Sequence, residues 1–124
     1  MTKKRILIID DEKAFTYLVK LNLEDTGDFD VKTENSGLNA VKAALDFKPD
    51  LIFLDIFMPD TEGGLIASDI KRTKELRYTP IVFLTAAVRK EELETDGNII
   101  GGHPFIAKPV STKKLIQVIS QYAL

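Results

Sequence analysis

Arg5-Ile6-Leu7-Ile8-Ile9-Asp10-Asp11-Glu12 carries four aliphatic residues in unbroken succession and then three acids. A β-branched run with no polar alternation reads as a strand covered on both faces, which is the signature of a parallel sheet between two layers of helices. Its abrupt end in carboxylates puts charge at the strand's C-terminal tip. Working outward, the spacing turns helical from Asp11, with Ala14, Phe15, Leu18, Val19 and Leu21 as the apolar stripe and Glu12 in the first turn. Thr26-Gly27-Asp28 ends that helix, and Phe29 to Thr33 alternates like a half-buried strand. Asn35-Ser36 offers an N-cap to a helix with the stripe Leu38, Val41, Ala44 and Leu45, which Pro49 stops. Leu51 to Leu54 is a second wholly apolar strand, closed by Asp55. A turn-forming loop from Met58 to Gly64 leads to a helix over Leu65 to Leu76 that carries Ile66, Ala67 and Ile70. Pro80 opens the apolar strand Ile81 to Leu84, ending at Thr85. Arg89 to Asp96 is a polar helix capped by Gly97, Phe105 to Ala107 is a short edge strand after Pro104, and Ser111 caps a last helix with Leu115, Val118, Ile119 and Tyr122 inward.

Strands alternating with helices over short loops predict an α/β fold: a doubly wound, flavodoxin-like (βα)5 sheet of five parallel strands. The more polar second strand and the short fifth one belong at the edges, giving the order 2-1-3-4-5. The length of 124 residues fits one domain over 1–124, and 44% hydrophobic with 29% charged residues is too apolar for disorder. No apolar stretch approaches the roughly 20 residues of a membrane helix, and Asp10 and Asp11 interrupt the run that would otherwise follow a signal-like basic N-terminus. The lack of cysteine excludes disulfides and thiolate zinc sites, and a single histidine, His103, excludes polyhistidine metal centres; packing is the expected role of that side chain. A net charge of −2 gives no electrostatic reason to expect nucleic acid. A cytoplasmic protein is expected.

In such a sheet, ligands bind beyond the carboxyl ends of the strands where the strand order reverses, here between strands one and three. Strand tips about 4.8 Å apart bring Asp10 or Asp11 and Asp55 within reach of one cation, and an all-oxygen set of this size suits Mg²⁺. Without a cation the clustered carboxylates repel, so at least one is expected to titrate abnormally high. From the other side, the Lys108 stem spans toward an anion held on Asp55, and Thr85 offers a hydroxyl from the strand between. A carboxylate flanked by a metal, an ammonium and a hydroxyl is equipped as a nucleophile in phosphoryl transfer. Taken singly, each residue has a plain reading, namely a helix cap for Asp10 and Asp11, a loop cap for Asp55, a surface side chain for Lys108. Their convergence on one rim is what favours a site.

Ile8-Ile9-Asp10-Asp11-Glu12, Leu54-Asp55 with Met58-Pro59 and Gly63, Ile70-Lys71-Arg72, Pro80 to Ala86, and Phe105-Ile106-Ala107-Lys108-Pro109 together resemble the receiver domain of two-component response regulators, the CheY-like family, over essentially the whole chain. The resemblance implies that Asp55 is phosphorylated by a phosphohistidine on a sensor histidine kinase or phosphotransfer protein. It implies that Asp10, Asp11, Asp55 and the main-chain carbonyl of Phe57 hold Mg²⁺, that Thr85 and Lys108 contact the phosphoryl group, and that Ala86 leaves it room. It implies a cis peptide between Lys108 and Pro109, and a switch in which Thr85 turns and Phe105 follows, altering the surface of the fourth helix, fifth strand and fifth helix. Phe105 lacks a hydroxyl, so a readout that needs a tyrosine there is absent. Thr61 stands where an apolar residue is common, and Gly63-Gly64 and Gly101-Gly102 loosen two loops. Phe57 and Ala87, each two residues past a site residue, neither orient nor admit an attacking water, so a long-lived phosphoryl group is expected. The chain reads as a stand-alone switch or phosphorelay carrier, a monomer or weak dimer with no separate substrate, contacting its target through Arg89 to Asp96 with Ile99 and Ile100. The alternative is an interaction module that keeps the fold and is not phosphorylated. A nucleotide-binding enzyme is disfavoured, because no glycine-rich phosphate loop follows the first strand.

Overall fold

The computed structural model describes residues 2–86, 99, 100 and 102–123. Strand β1 (Lys4–Ile9) is followed by helix α1 (Lys13–Asp25), β2 (Phe29–Glu34), a 3-10 turn (Gly37–Asn39) running into α2 (Ala40–Phe47), and β3 (Leu51–Asp55). Helix α3 (Gly63–Arg72) then leads through a second 3-10 turn (Lys74–Leu76) to β4 (Ile81–Thr85), β5 (Ile99–Ile100), β6 (His103–Ala107) and α4 (Thr112–Tyr122). The sheet order is β2-β1-β3-β4-β6-β5, and all pairings are parallel except β5 with β6. The five parallel strands therefore lie in the expected 2-1-3-4-5 order. The antiparallel strand β5 was not expected; it pairs Ile99 with Pro104 and Ile100 with His103, and Gly102, at φ +83°, supplies the left-handed residue that its turn uses.

Alternation along the strands splits the core into two layers. Ile6, Ile8, Leu51, Phe53, Val82, Leu84 and Ile106 pack under α1 and α4, while Leu7, Ile9, Ile52, Leu54, Ile81, Phe83 and Phe105 pack under α2 and α3. Burial on both faces is what the unbroken apolar runs demand. Ser111 caps α4 as expected, its hydroxyl accepting from the Lys114 N–H at 3.1 Å, and Leu115, Val118 and Ile119 point inward.

Two helix faces differ from the sequence reading. In α1 the inward residues are Thr16, Val19 and Leu23, whereas Leu18 and Leu21 are exposed. Thr16 turns inward because its hydroxyl is satisfied there, donating to the Lys13 carbonyl and accepting from Asn35. In α2 the small Ala40, Ala43 and Ala44 face the sheet and Leu38 is 75% exposed, because the chain from Gly37 to Asn39 winds as a 3-10 turn that rotates it outward. Ser36 does not cap that turn; its hydroxyl donates to Asp60. Helix α3 begins two residues earlier than expected and stops at Arg72, short of the second 3-10 turn.

On the edge strand β2, Lys20 of α1 donates to the Val31 carbonyl and Glu24 accepts from the Val31 N–H at 3.1 Å, the two side chains also pairing with each other at 3.0 Å. The expected helix over Arg89 to Asp96, its cap Gly97, and Ala87 and Gly101 lie outside the described residues.

Candidate phosphoacceptor site

Asp10 follows β1 and is tied to the adjacent strand, its N–H donating to the Glu34 carbonyl at 3.0 Å. Its own carbonyl accepts from the Asn35 amide at 2.8 Å, and the same amide reaches Thr16 at 3.0 Å. Asn35 thus fixes the main chain where the first strand hands over to the first helix. The sequence marked Asn35 only as a helix cap; a polar side chain at the tip of an edge strand beside two acids was the available signal. The side chain of Asp10 is wholly buried, and its Oδ1 accepts from the Glu12 N–H at 2.9 Å.

Asp55, the last residue of β3, is 5% exposed, and Phe57 N–H donates to its Oδ1 at 3.3 Å. The loop beyond it is drawn tight by the Gly63 N–H, which donates to the Ile56 carbonyl at 2.7 Å. A Cβ on Gly63 would stand 2.5 Å from the Asp55 carbonyl oxygen and 2.7 Å from the Ile56 Cα, so only glycine fits this approach. Ligand oxygens of Asp10, Asp11 and Asp55 lie within 4.8 Å of one another, as the strand order requires.

Gathering these acids has an electrostatic cost. Burial first, and the charge of Asp10 second, push the Asp55 carboxyl up from 3.8 to about 6, against the opposing pull of Lys108 and the Phe57 N–H. The abnormally high titration expected from the sequence therefore falls on Asp55.

Lys108 is placed by its N–H, which donates to the Thr85 carbonyl at 2.8 Å just past the end of β6; the Lys108–Pro109 peptide is cis. Its ammonium is held by the acids that follow β1. It sits 2.5 Å from Asp10 Oδ2 and 3.1 Å from Glu12 Oε1, with the Phe15 ring centroid 4.6 Å away. The reason is a competition among anions: the fully buried Asp10 carboxylate has the most to gain from a countercharge. Burial works to lower the lysine's pKa, but Asp10 and Glu12 outweigh it and hold the ammonium above its ordinary value.

The ammonium of Lys108 is the partner of the buried Asp10 Oδ2, which has no main-chain or hydroxyl donor beside it. Three clustered carboxylates, one of them wholly buried, fit a hard divalent cation that takes one or two carboxylates and keeps several waters. Thr85 is fully buried at the tip of β4, with Ala86 exposed beside it. Phe105 is 3% exposed and packs in the α2–α3 layer, in register with Phe83. Phe57 is 63% exposed at the rim. His103 packs edge-on against Phe83, ring centroids 5.5 Å apart, and burial and the charge of Lys71 push its pKa down.

Residues 6–120 match the response regulator receiver domain family. The chain is 32% identical over 121 residues to the polar-differentiation response regulator DivK of Brucella anthropi, covering 96% of this chain and 95% of DivK. It is 35% identical over 113 residues to the alkaline phosphatase synthesis transcriptional regulatory protein PhoP of Bacillus subtilis, covering 90% of this chain but only 45% of PhoP. It thus spans about half the length of PhoP, and of another transcriptional regulator that it matches. Among solved structures, the receiver domain of a sensor histidine kinase from Pseudomonas aeruginosa, with a magnesium ion coordinated in its active-site cleft, superposes with a TM-score of 0.82 at 23% identity, covering 98% of each chain. The chain belongs to the response regulator receiver domain family.

Proposed function

We propose that this chain is a phosphoryl-accepting switch of a two-component system, acting in the cytoplasm on a phosphohistidine of a sensor histidine kinase or phosphotransfer protein. The observation that carries the reading is the buried Asp55 carboxylate, with ligand oxygens of Asp10, Asp11 and Asp55 all within 4.8 Å of one another. An Asp55 oxygen attacks the phosphorus, the phosphorus–nitrogen bond to histidine breaks, and an acyl phosphate forms while the imidazole leaves. Asp10, Asp11, Asp55 and the Phe57 carbonyl are the residues that would hold Mg²⁺, which supplies charge neutralisation for the transferring group. Lys108 and the Thr85 hydroxyl furnish cationic and hydrogen-bonding contacts to the phosphoryl oxygens.

With its carboxyl held at about 6 in the metal-free site, Asp55 is mostly in its nucleophilic, ionised form at neutral pH and loses it in acid. Thr85 and Phe105 form the switch pair, both buried and lying two residues apart in register across β4 and β6. Its output is a changed surface near β6 and α4, read by a protein target and not by nucleic acid. Intact mass after incubation with acetyl phosphate and MgCl2 tests this. A phosphoryl adduct is expected on the wild type and none on Asp55→Ala. No adduct on the wild type would instead favour a receiver-like interaction module that is not phosphorylated.

A further inference from the structure

We infer that Glu12 and Phe15 form a second seat for the Lys108 ammonium, to which the lysine moves when a divalent cation claims Asp10, making Glu12 a positioning residue for cation uptake. This rests on the proposed Mg²⁺-dependent function. The lysine ammonium now touches Asp10 Oδ2 at 2.5 Å, a buried oxygen of a carboxylate that belongs to the three-acid cluster. A cation ligated there and an ammonium on the same oxygen repel each other. Losing Asp10 would take from Lys108, whose side chain is only 10% exposed, its nearest and most buried countercharge.

Glu12 resolves the conflict by position. Its Oε1 already lies 3.1 Å from the ammonium while its carboxylate is 63% exposed, so it can hold the lysine with little further desolvation. Phe15, in the first turn of α1, offers a ring face 4.6 Å from the ammonium. The main chain of Glu12 meanwhile grips the other oxygen of Asp10, at 2.9 Å. One residue therefore steadies Asp10 through its N–H and draws the competing cation off it through its carboxylate.

Calorimetric titration of the full chain with MgCl2 tests the inference without any phosphoryl donor. Glu12→Gln should weaken Mg²⁺ binding by about twofold to fivefold, the range of a partly exposed ion pair. Glu12→Asp keeps the charge but withdraws it by about 1.5 Å, one carbon–carbon bond. It should weaken binding nearly as much as Glu12→Gln, and Phe15→Leu should weaken it in the same direction. In a Lys108→Met background Glu12→Gln should have no effect. Wild-type affinity in Glu12→Asp, or an undiminished Glu12→Gln effect without the lysine, would mean Glu12 acts only as a distant charge and would overturn the seat. A folded wild type that takes up no Mg²⁺ at all would overturn the metal-dependent function itself, and the seat with it.

Discussion

Replacing Asp55 by asparagine should stabilise the metal-free protein, and the gain should depend on pH in a way the structure dictates. Moving a buried carboxyl from 3.8 to about 6 means that its ionised form costs the fold about 3 kcal/mol relative to the neutral form. Asparagine has the neutral form's shape and no charge. The sign follows from linkage: the folded carboxyl holds its proton more tightly than the unfolded one, so the contribution of Asp55 to stability declines as pH rises from 3.8 to 6 and its whole penalty applies above that. Urea unfolding of wild type and Asp55→Asn, followed by circular dichroism in EDTA, should therefore give similar stabilities near pH 3.5. The variant should lead by up to about 3 kcal/mol at pH 7.5, a melting difference on the order of 10 °C for a domain of this size. Saturating MgCl2 should narrow the gap, because the cation binds the native wild type and compensates the charge that asparagine removes. A gap that is absent at pH 7.5, or as large at pH 3.5, would refute the placement of the clustered charge on Asp55.

Other expectations follow from single contacts. Phe57→Asn puts a polar group at the rim beside Asp55 and should shorten the lifetime of the acyl phosphate severalfold, measured as the Mg²⁺-dependent loss of phosphoryl mass; a slower variant would count against a shielding role. Gly63→Ala forces a Cβ onto the Asp55 carbonyl and should cost about 1–3 kcal/mol in thermal unfolding while weakening Mg²⁺ binding, since the Asp55–Phe57 segment must shift. Leu23→Ala should cost about 2–5 kcal/mol, whereas Leu18→Ala, on the exposed side of the same helix, should stay within about 0.5 kcal/mol.

The sheet was legible because Ile6 to Ile9, Leu51 to Leu54 and Ile81 to Leu84 have no polar position to give water, so both faces had to be covered. The acids at their tips were legible for the same reason: an apolar run that stops at a carboxylate marks a strand end. The inward face of α1 was misread because hydrophobicity alone ranks Leu18 above Thr16, whereas a threonine whose hydroxyl meets Lys13 and Asn35 is no burden inside. Spacing set the reach of Lys108 but not its choice of partner; Asp10 wins by its burial, a property of the assembled fold. Strand β5 has only two residues, too few for any periodicity to mark it.

The Lys20–Glu24 pair over Val31 has a bearing on how copies of this molecule meet. An outermost strand is ordinarily a template, its main chain ready to recruit whatever extended segment drifts past. Here the amide and the carbonyl of Val31 are both already engaged by side chains of α1, so a newcomer must first prise apart an ion pair to continue the ladder. At the middle of this border, then, the first step of adding a strand carries a cost that the rest of the edge does not impose.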